Sequence, residues 1–305
     1  MERFKGIACA LISSATFGLI PLFTIPLMAE GMTESSILFY RFLFSAPLMA
    51  VICLIKRESF RISRRQIIPL LILSALYAGT ALPLLYAYHY IPSGLAVTIH
   101  FLYPILVAFI MIVLFKEKGS WYIFLAAVLS VVGVGFLCWT GADNIRWLGI
   151  LFAFLSVLAY AVYIVIVNKT KIIGNLSAGT MTFYILTFGM VNFFLYTLFT
   201  EGISPIPSMH AVGRLLGFTL FATIISNLTL VMAIKYIGST ITSILGSMEP
   251  VVATFVGVIC FSEYFDTVSL LGIALIIVSV TLVVLKNSKP DLEPEKIGRP
   301  KPNDL

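Results

Sequence analysis

The chain has 305 residues, of which 60% are hydrophobic and 11% charged, with a net charge of +6 and a mean hydropathy of +1.04. A soluble domain of this length cannot carry that composition without large exposed apolar surfaces, so the chain reads as an all-α polytopic membrane protein. Its basic residues sit in the connections between apolar runs, where they report membrane topology and not a nucleic-acid partner.

An apolar helix needs about 20 residues to cross the hydrocarbon layer. Ten runs meet that need: 7–29, 35–55, 67–89, 94–115, 120–139, 147–167, 178–200, 214–234, 239–261 and 267–285. The first follows Arg3 and Lys5 but is longer than a signal-peptide core and has no clean small-x-small cleavage site, so it counts as a spanning helix. The third and fourth runs, like the eighth and ninth, are split at Pro92 and Gly238. Cys9, Cys53, Cys138 and Cys260 lie in apolar runs with neither disulfide nor CxxC spacing, so they read as small core residues, and no metal or cofactor is expected.

Lysine and arginine fall unevenly on the connections. With the N-terminus inside, one side receives Arg3, Lys5, Lys56, Arg57, Arg61, Arg64, Arg65, Lys116, Lys118, Lys169, Lys171, Lys235, Lys286 and Lys289, and the other only Arg146 and Arg214. Cytoplasmic loops carry that excess, so both termini are expected in the cytoplasm. The tail 287–305 is polar and proline-rich and is expected to be disordered.

The chain also repeats itself. At an offset of 146, Tyr90, Ile91, Ser93, Pro104, Phe109, Phe115 and Glu117 meet Tyr236, Ile237, Ser239, Pro250, Phe255, Phe261 and Glu263. Gly6, Ser13 and Phe17 align with Gly149, Ser156 and Tyr160 at 143, and Phe39-Tyr40 with Phe183-Tyr184 at 144. The unit is therefore half the chain, expected as residues 4–141 and 146–286. Five helices per half is an odd number, so the second copy enters the membrane from the opposite side. Inverted halves are a carrier architecture, because they can close alternately over a central site.

The doubled pattern of a Tyr-Ile junction, small residues, proline, an apolar run and glutamate stands in YIPSGLAVTIHFLYPILVAFIMIVLFKE and in YIGSTITSILGSMEPVVATFVGVICFSE. It resembles the EamA-type domains of the drug/metabolite transporter superfamily. The resemblance covers about residues 4–286. It implies ten helices as two inverted five-helix repeats, both termini inside, and export of an amino acid or other small metabolite across a bacterial inner membrane without ATP. It is nearly silent about substrate.

Polar groups in the runs each have two readings. Arg41 either attracts a carboxylate substrate, or snorkels to headgroups and ties down helix carbonyls. Glu249 is followed by Pro250, which cannot donate to the carbonyl of Gly246; a protonated Glu249 serves that carbonyl as scaffold, while one facing water serves proton coupling. His100, one turn before Pro104, is either a packing residue or a substrate contact. Further cavity candidates are Tyr77, Tyr86, Tyr103, Tyr160, Tyr163, Asn227, Ser243 and Gly246, the last two in a small-polar stripe that also suits plain helix packing. Trp121 and Trp147 belong near the interface, and Gly133 and Gly135 permit close packing.

No HExxH, GxSxG or paired intramembrane aspartates point to an enzyme. A sugar-phosphate or nucleotide-sugar exchanger needs several buried cations, and only Arg41 is intramembrane. A structural membrane protein is the remaining alternative. The partners implied are a small-molecule substrate and the lipid bilayer.

Overall fold

Prolines and one π-helical turn set where the helices break. The computed structural model describes residues 2–88, 90–91, 96, 99–117, 120–137, 146–200, 202–261 and 267–287. His89, Pro92, Ser93, Lys118, Cys138 and the tail from 288 lie outside the described residues. The expected first helix is two: α1 (Glu2–Phe17) and α2 (Ile20–Ala29), with Pro21 in the first turn of α2. Next come α3 (Glu34–Ile55), α4 (Arg64–Tyr88), α5 (Tyr103–Val113) and α6 (Trp121–Leu137).

The second half opens with α7 (Trp147–Lys169), the short α8 (Lys171–Gly174) and α9 (Ala178–Phe199). The expected eighth helix, 214–234, runs longer and is interrupted: α10 (Met209–Thr219), a π-helical Leu220–Ile225, then α11 (Ser226–Ile237). The ninth, expected unbroken over 239–261, is α12 (Ser239–Leu245) and α13 (Met248–Phe261), followed by α14 (Thr267–Asn287).

Eight stretches among the described residues are long and apolar enough to cross a membrane, and Tyr103–Val113 and Trp121–Phe136 are shorter apolar helices. The chain is a multi-pass membrane protein. Trp121 and Trp147 are 75% and 73% exposed at their helix starts, which suits an interfacial belt.

In lipid, helices associate through packing and hydrogen bonds, not through a hydrophobic drive of their own. The packing here has a two-fold pattern. α1 lies against α11 in the way that α7 lies against α4, while α3 pairs with its counterpart α9 and α6 with α14. The close approaches are duplicated too. A Cβ on Gly6 would meet Ile237 Cγ2 at 2.5 Å and Tyr236 Cβ at 2.8 Å; on Gly149 it would meet Ile91 Cγ2 at 2.7 Å and Tyr90 Cβ at 2.9 Å.

The hydrogen bonds follow suit. Ser13 Oγ donates to the carbonyl of Ser226 at 2.8 Å, and its counterpart Ser156 donates to that of Thr80 at 2.6 Å. On the α6–α14 pair, Ser130 Oγ and Ser279 Oγ are 2.7 Å apart, and a Cβ on Gly133 would strike the Gly272 carbonyl. The matched residues of the two repeats therefore make the same bonds across the interface.

Candidate functional site

The two helices that carry the matched prolines Pro104 and Pro250 both break just before them. The chain turns at Phe101–Leu102 ahead of Pro104 and at Gly246–Ser247 ahead of Pro250. Proline lacks an N–H and cannot donate to the carbonyl four residues back, so the ladder is cut at the same place in each half. The run expected over 239–261 would put Glu249 in mid-helix, but it is the second residue of α13.

The Gly246 carbonyl is not left for the Glu249 side chain either. It accepts the Glu249 backbone N–H at 2.9 Å, a three-residue closure that tightens the turn, and the Leu245 carbonyl accepts Ser14 Oγ at 3.0 Å.

A cavity of about 10 Å³, room for one water, opens at this break. Ser13, Ser14 and Phe17 of α1 form one wall, and Thr242, Ser243, Gly246 and Glu249 another. Tyr103, Tyr160, Ile164 and Leu230 close it. Tyr103 and Glu249 occupy equivalent positions in the two repeats, and both face this cavity. Gly246 is small because the Tyr103 hydroxyl rests where its Cβ would be. Ser243 lines the cavity with its own hydroxyl returned to the Thr240 carbonyl at 2.8 Å.

The aromatic candidates form one connected stack. The rings of Tyr103 and Tyr160 meet edge-on at 4.7 Å, and Tyr160 stacks on Tyr163 at 6.2 Å and on His100 at 5.6 Å. Such contacts hold rings in place beyond their area burial, each by about 0.5–1.5 kcal/mol. His100 is buried, its Nδ1 lies 3.0 Å from Ser156 Oγ, and its ring sits 5.7 Å from that of Tyr103, which lines the cavity.

Arg41 is 4% exposed, which rules out snorkelling. Its Nε donates to Thr223 Oγ1 at 2.6 Å, and its Nη2 to the Ala222 carbonyl at 2.8 Å and to Tyr77 Oη at 3.0 Å. Its guanidinium lies over the Phe218 ring at 4.6 Å. The π-helical turn supplies Ala222 and Thr223, so the widened backbone and the arginine explain one another. Asn227 Nδ2 joins the same point, donating to Tyr77 Oη at 2.6 Å and to the Thr223 carbonyl at 2.8 Å.

The candidates thus fall into two adjoining groups, one around Glu249, Tyr103 and Tyr160 and one around Arg41, Tyr77, Tyr163 and Asn227. Tyr160 and Tyr163, 6.2 Å apart by ring centroids, link them. Tyr86 belongs to neither: it is 38% exposed, bonds to the Tyr196 hydroxyl, and packs on Phe152. Thr223, Ala222, Ser13 and Ser14 were absent from the candidates. Only the Ser13–Ser156 alignment hinted at any of them, because the π-helical turn has no sequence period of its own.

Two related sets of helices with matched breaks beside a small cavity are an arrangement found in membrane transporters. A model of the EamA-like transporter family matches residues 4–139 and again 147–285. The chain belongs to that family, whose members are transporters of the drug/metabolite superfamily. One solved structure, described only as the crystal structure of a protein, superposes with a TM-score of 0.79 over 92% of this chain and 96% of the other at 14% identity, which shows a shared fold. None of the curated proteins matches the chain.

Proposed function

We propose that the protein is a secondary carrier that exports a small metabolite, an amino acid or a related compound, across the bacterial cytoplasmic membrane by alternating access. Ten crossings, halves of opposite orientation at about 4–141 and 146–286, and cytoplasmic termini belong to the same reading. The observation that carries it is the meeting of equivalent positions, Tyr103 and Glu249, at one cavity between matched helix breaks. Two like halves closing over such a point offer two access states of similar energy.

Among the described residues the cavity lining contains no lysine or arginine, and the neighbouring Arg41 is already bonded to protein groups. That disfavours sugar phosphates and nucleotide sugars, which bring two or more charges. Tyr103, Tyr160, Ser243, Gly246 and Glu249 are the substrate-facing residues of this reading, with His100 behind them.

The test is flux in proteoliposomes holding the full chain, with labelled amino acids, nucleosides, sugars and a nucleotide sugar under an imposed proton gradient. Export-type flux of an uncharged or zwitterionic solute is expected, and strong, saturable exchange of the nucleotide sugar alone would overturn the choice of substrate class. Glu249→Gln keeps shape and hydrogen bonding but removes titration, so it is expected to fold normally and lose pH dependence of flux. An unchanged pH profile in that variant would return Glu249 to helix packing.

A further inference from the structure

One stretch of the second half departs from its counterpart in the first. At the offset of 146 the π-helical Leu220–Ile225 aligns with residues 74–79, which lie inside the unbroken helix α4. A shared bond anchors the match, since the carbonyls of Ser226 and Thr80 accept from the equivalent hydroxyls of Ser13 and Ser156. Arg41 has Ile185 as its counterpart, on the helix α9 that packs against α4. The helix bonded by the arginine is thus π-helical where the helix beside the isoleucine is α-helical.

The bonds show what the arginine does to the ladder. The Ser226 N–H is shared between the Phe221 and Thr223 carbonyls and passes over that of Ala222, its partner in a regular α-helix. Arg41 Nη2 takes the Ala222 carbonyl, and Arg41 Nε takes Thr223 Oγ1, whose own proton goes to the Phe218 carbonyl five residues back at 3.1 Å. A buried carbonyl left without a donor is costly, so the π-turn is held from α3 and not by its own sequence.

Such a turn accommodates one residue more than an α-helix of the same span. Closed up to α-helix against a fixed α11, it would carry α10 forward by one residue, about 100° of rotation and about 1.5 Å of rise. Phe218 would then stand where Gly217 stands. That place is full: a Cβ on Gly217 would meet Phe23 Cε1 at 2.6 Å, and the Phe23 ring already stacks on that of Phe218 with centroids 6.2 Å apart. Leu215 would likewise take the place of Arg214 beside Glu30. The element that gives way is α2, which carries Phe23, ends at Glu30 and is severed from α1 at Gly18–Leu19. We propose that Leu220–Ile225 is a register switch for the end of the molecule at which α2 meets α10, extracellular in the carrier reading, on which the switch rests for its two access states. Arg41 on the Ala222 carbonyl is the closed setting. When Arg41 lets go, the turn relaxes to α-helix and the advancing Phe218 lifts α2 away, which makes Arg41 a positioning residue.

The test is labelling of Leu27→Cys by a membrane-impermeant maleimide, in the full chain lacking Cys9, Cys53, Cys138 and Cys260 and reconstituted in liposomes. Leu27 is buried on α2 among Leu215, Phe218 and Ala222, so it reacts only when α2 moves away. Arg41→Leu is expected to speed labelling at least about tenfold, the population shift that loss of charged hydrogen bonds from the closed state produces. Deleting Leu220 in that variant removes the extra residue, so α10 keeps its closed register in a plain α-helix and labelling should return to the parent rate. A general loosening of the fold would not be reversed by a second lesion. Thr223→Val keeps the size of the side chain but loses the acceptor of Arg41 Nε, and supplies the same comparison, with a smaller rise, if Arg41→Leu does not fold.

Faster labelling that persists after the deletion would overturn the switch, as would a parent-like rate in every variant that folds. Solute flux in the same liposomes decides the carrier reading separately. Labelling that follows the register without flux of any solute would support the switch and remove the carrier, while flux with labelling indifferent to the register would do the reverse.

Discussion

The two ends of the molecule carry the same latch built from different charges. At one end the connection between α3 and α4 lies on the start of α9, and Tyr184 Oη donates to the Phe60 carbonyl at 2.6 Å. At the other the segment after α9 lies on the start of α3, and Tyr40 Oη donates to the Ser204 carbonyl at 3.1 Å. Tyr40 and Tyr184, like Phe60 and Ser204, stand at the repeat offset of 144. Each tyrosine lies just after a helix start capped by a hydroxyl, Thr33 to the Ser36 N–H and Ser177 to the Thr180 N–H.

The charges around these bonds are not duplicated. At the Tyr184 end, Glu58 Oε2 accepts from Ser177 Oγ at 2.6 Å and occupies the space beside Gly179, a carboxylate set on the start of α9, while Lys235 donates to the Leu176 carbonyl. At the Tyr40 end, Glu30 pairs with Arg214 and accepts from Ser208 Oγ at 2.8 Å, joining the exit of α2 to the entry of α10. The shared bond is inherited from the duplicated unit, and the charged surroundings set the strength of each end separately. The proposed carrier would need that freedom, because two access states have to be balanced against each other.

The largest effect expected concerns what the two halves have in common. Gly6→Leu and Gly149→Leu each force a side chain into the Tyr-Ile junction of the other half, at a cost of about 3 kcal/mol or more. Both should lose most folded protein in size-exclusion profiles, and survival of one with loss of the other would break the two-fold equivalence.

Glu58→Gln comes next, about 1–2 kcal/mol, because it removes a charge from a helix start and weakens its bond with Ser177. The Cys53 thiol, 3.8 Å from Glu58 and buried, reports it: maleimide labelling in a background lacking Cys9, Cys138 and Cys260 should accelerate in Glu58→Gln. Unchanged labelling would show that this end is held without its carboxylate.

Tyr184→Phe and Tyr40→Phe should each cost about 1 kcal/mol, the usual net value of one hydrogen bond. Their consequences for access should be opposite, each favouring opening at its own end, and the double variant should recover the original balance. Cys53 labelling that rises in Tyr184→Phe and falls in Tyr40→Phe would sharpen the comparison; the same direction in both would break it. The smallest effect belongs to Glu30→Gln, about 0.2–1 kcal/mol for a part-exposed ion pair, shrinking as salt is added. Melting of that variant and the parent should converge at high ionic strength.

Much of this architecture follows from the chain alone. Apolar runs long enough for lipid, the matched prolines and the half-length repeat determine a multi-pass helical protein of two related units, because period and length are local properties that the bilayer enforces. The pairing of Phe39-Tyr40 with Phe183-Tyr184 was visible as an alignment, yet it takes the fold to show that each tyrosine reaches a loop carbonyl beyond its own helix. The tertiary structure alone decided that Tyr86 lies apart, that the ninth helix is broken, and that Arg41 is buried on Thr223 and the Ala222 carbonyl. Those outcomes depend on which residues distant in sequence share a point in space. A π-helical turn that bends a backbone toward a buried charge has no signature in the spacing of the residues that form it.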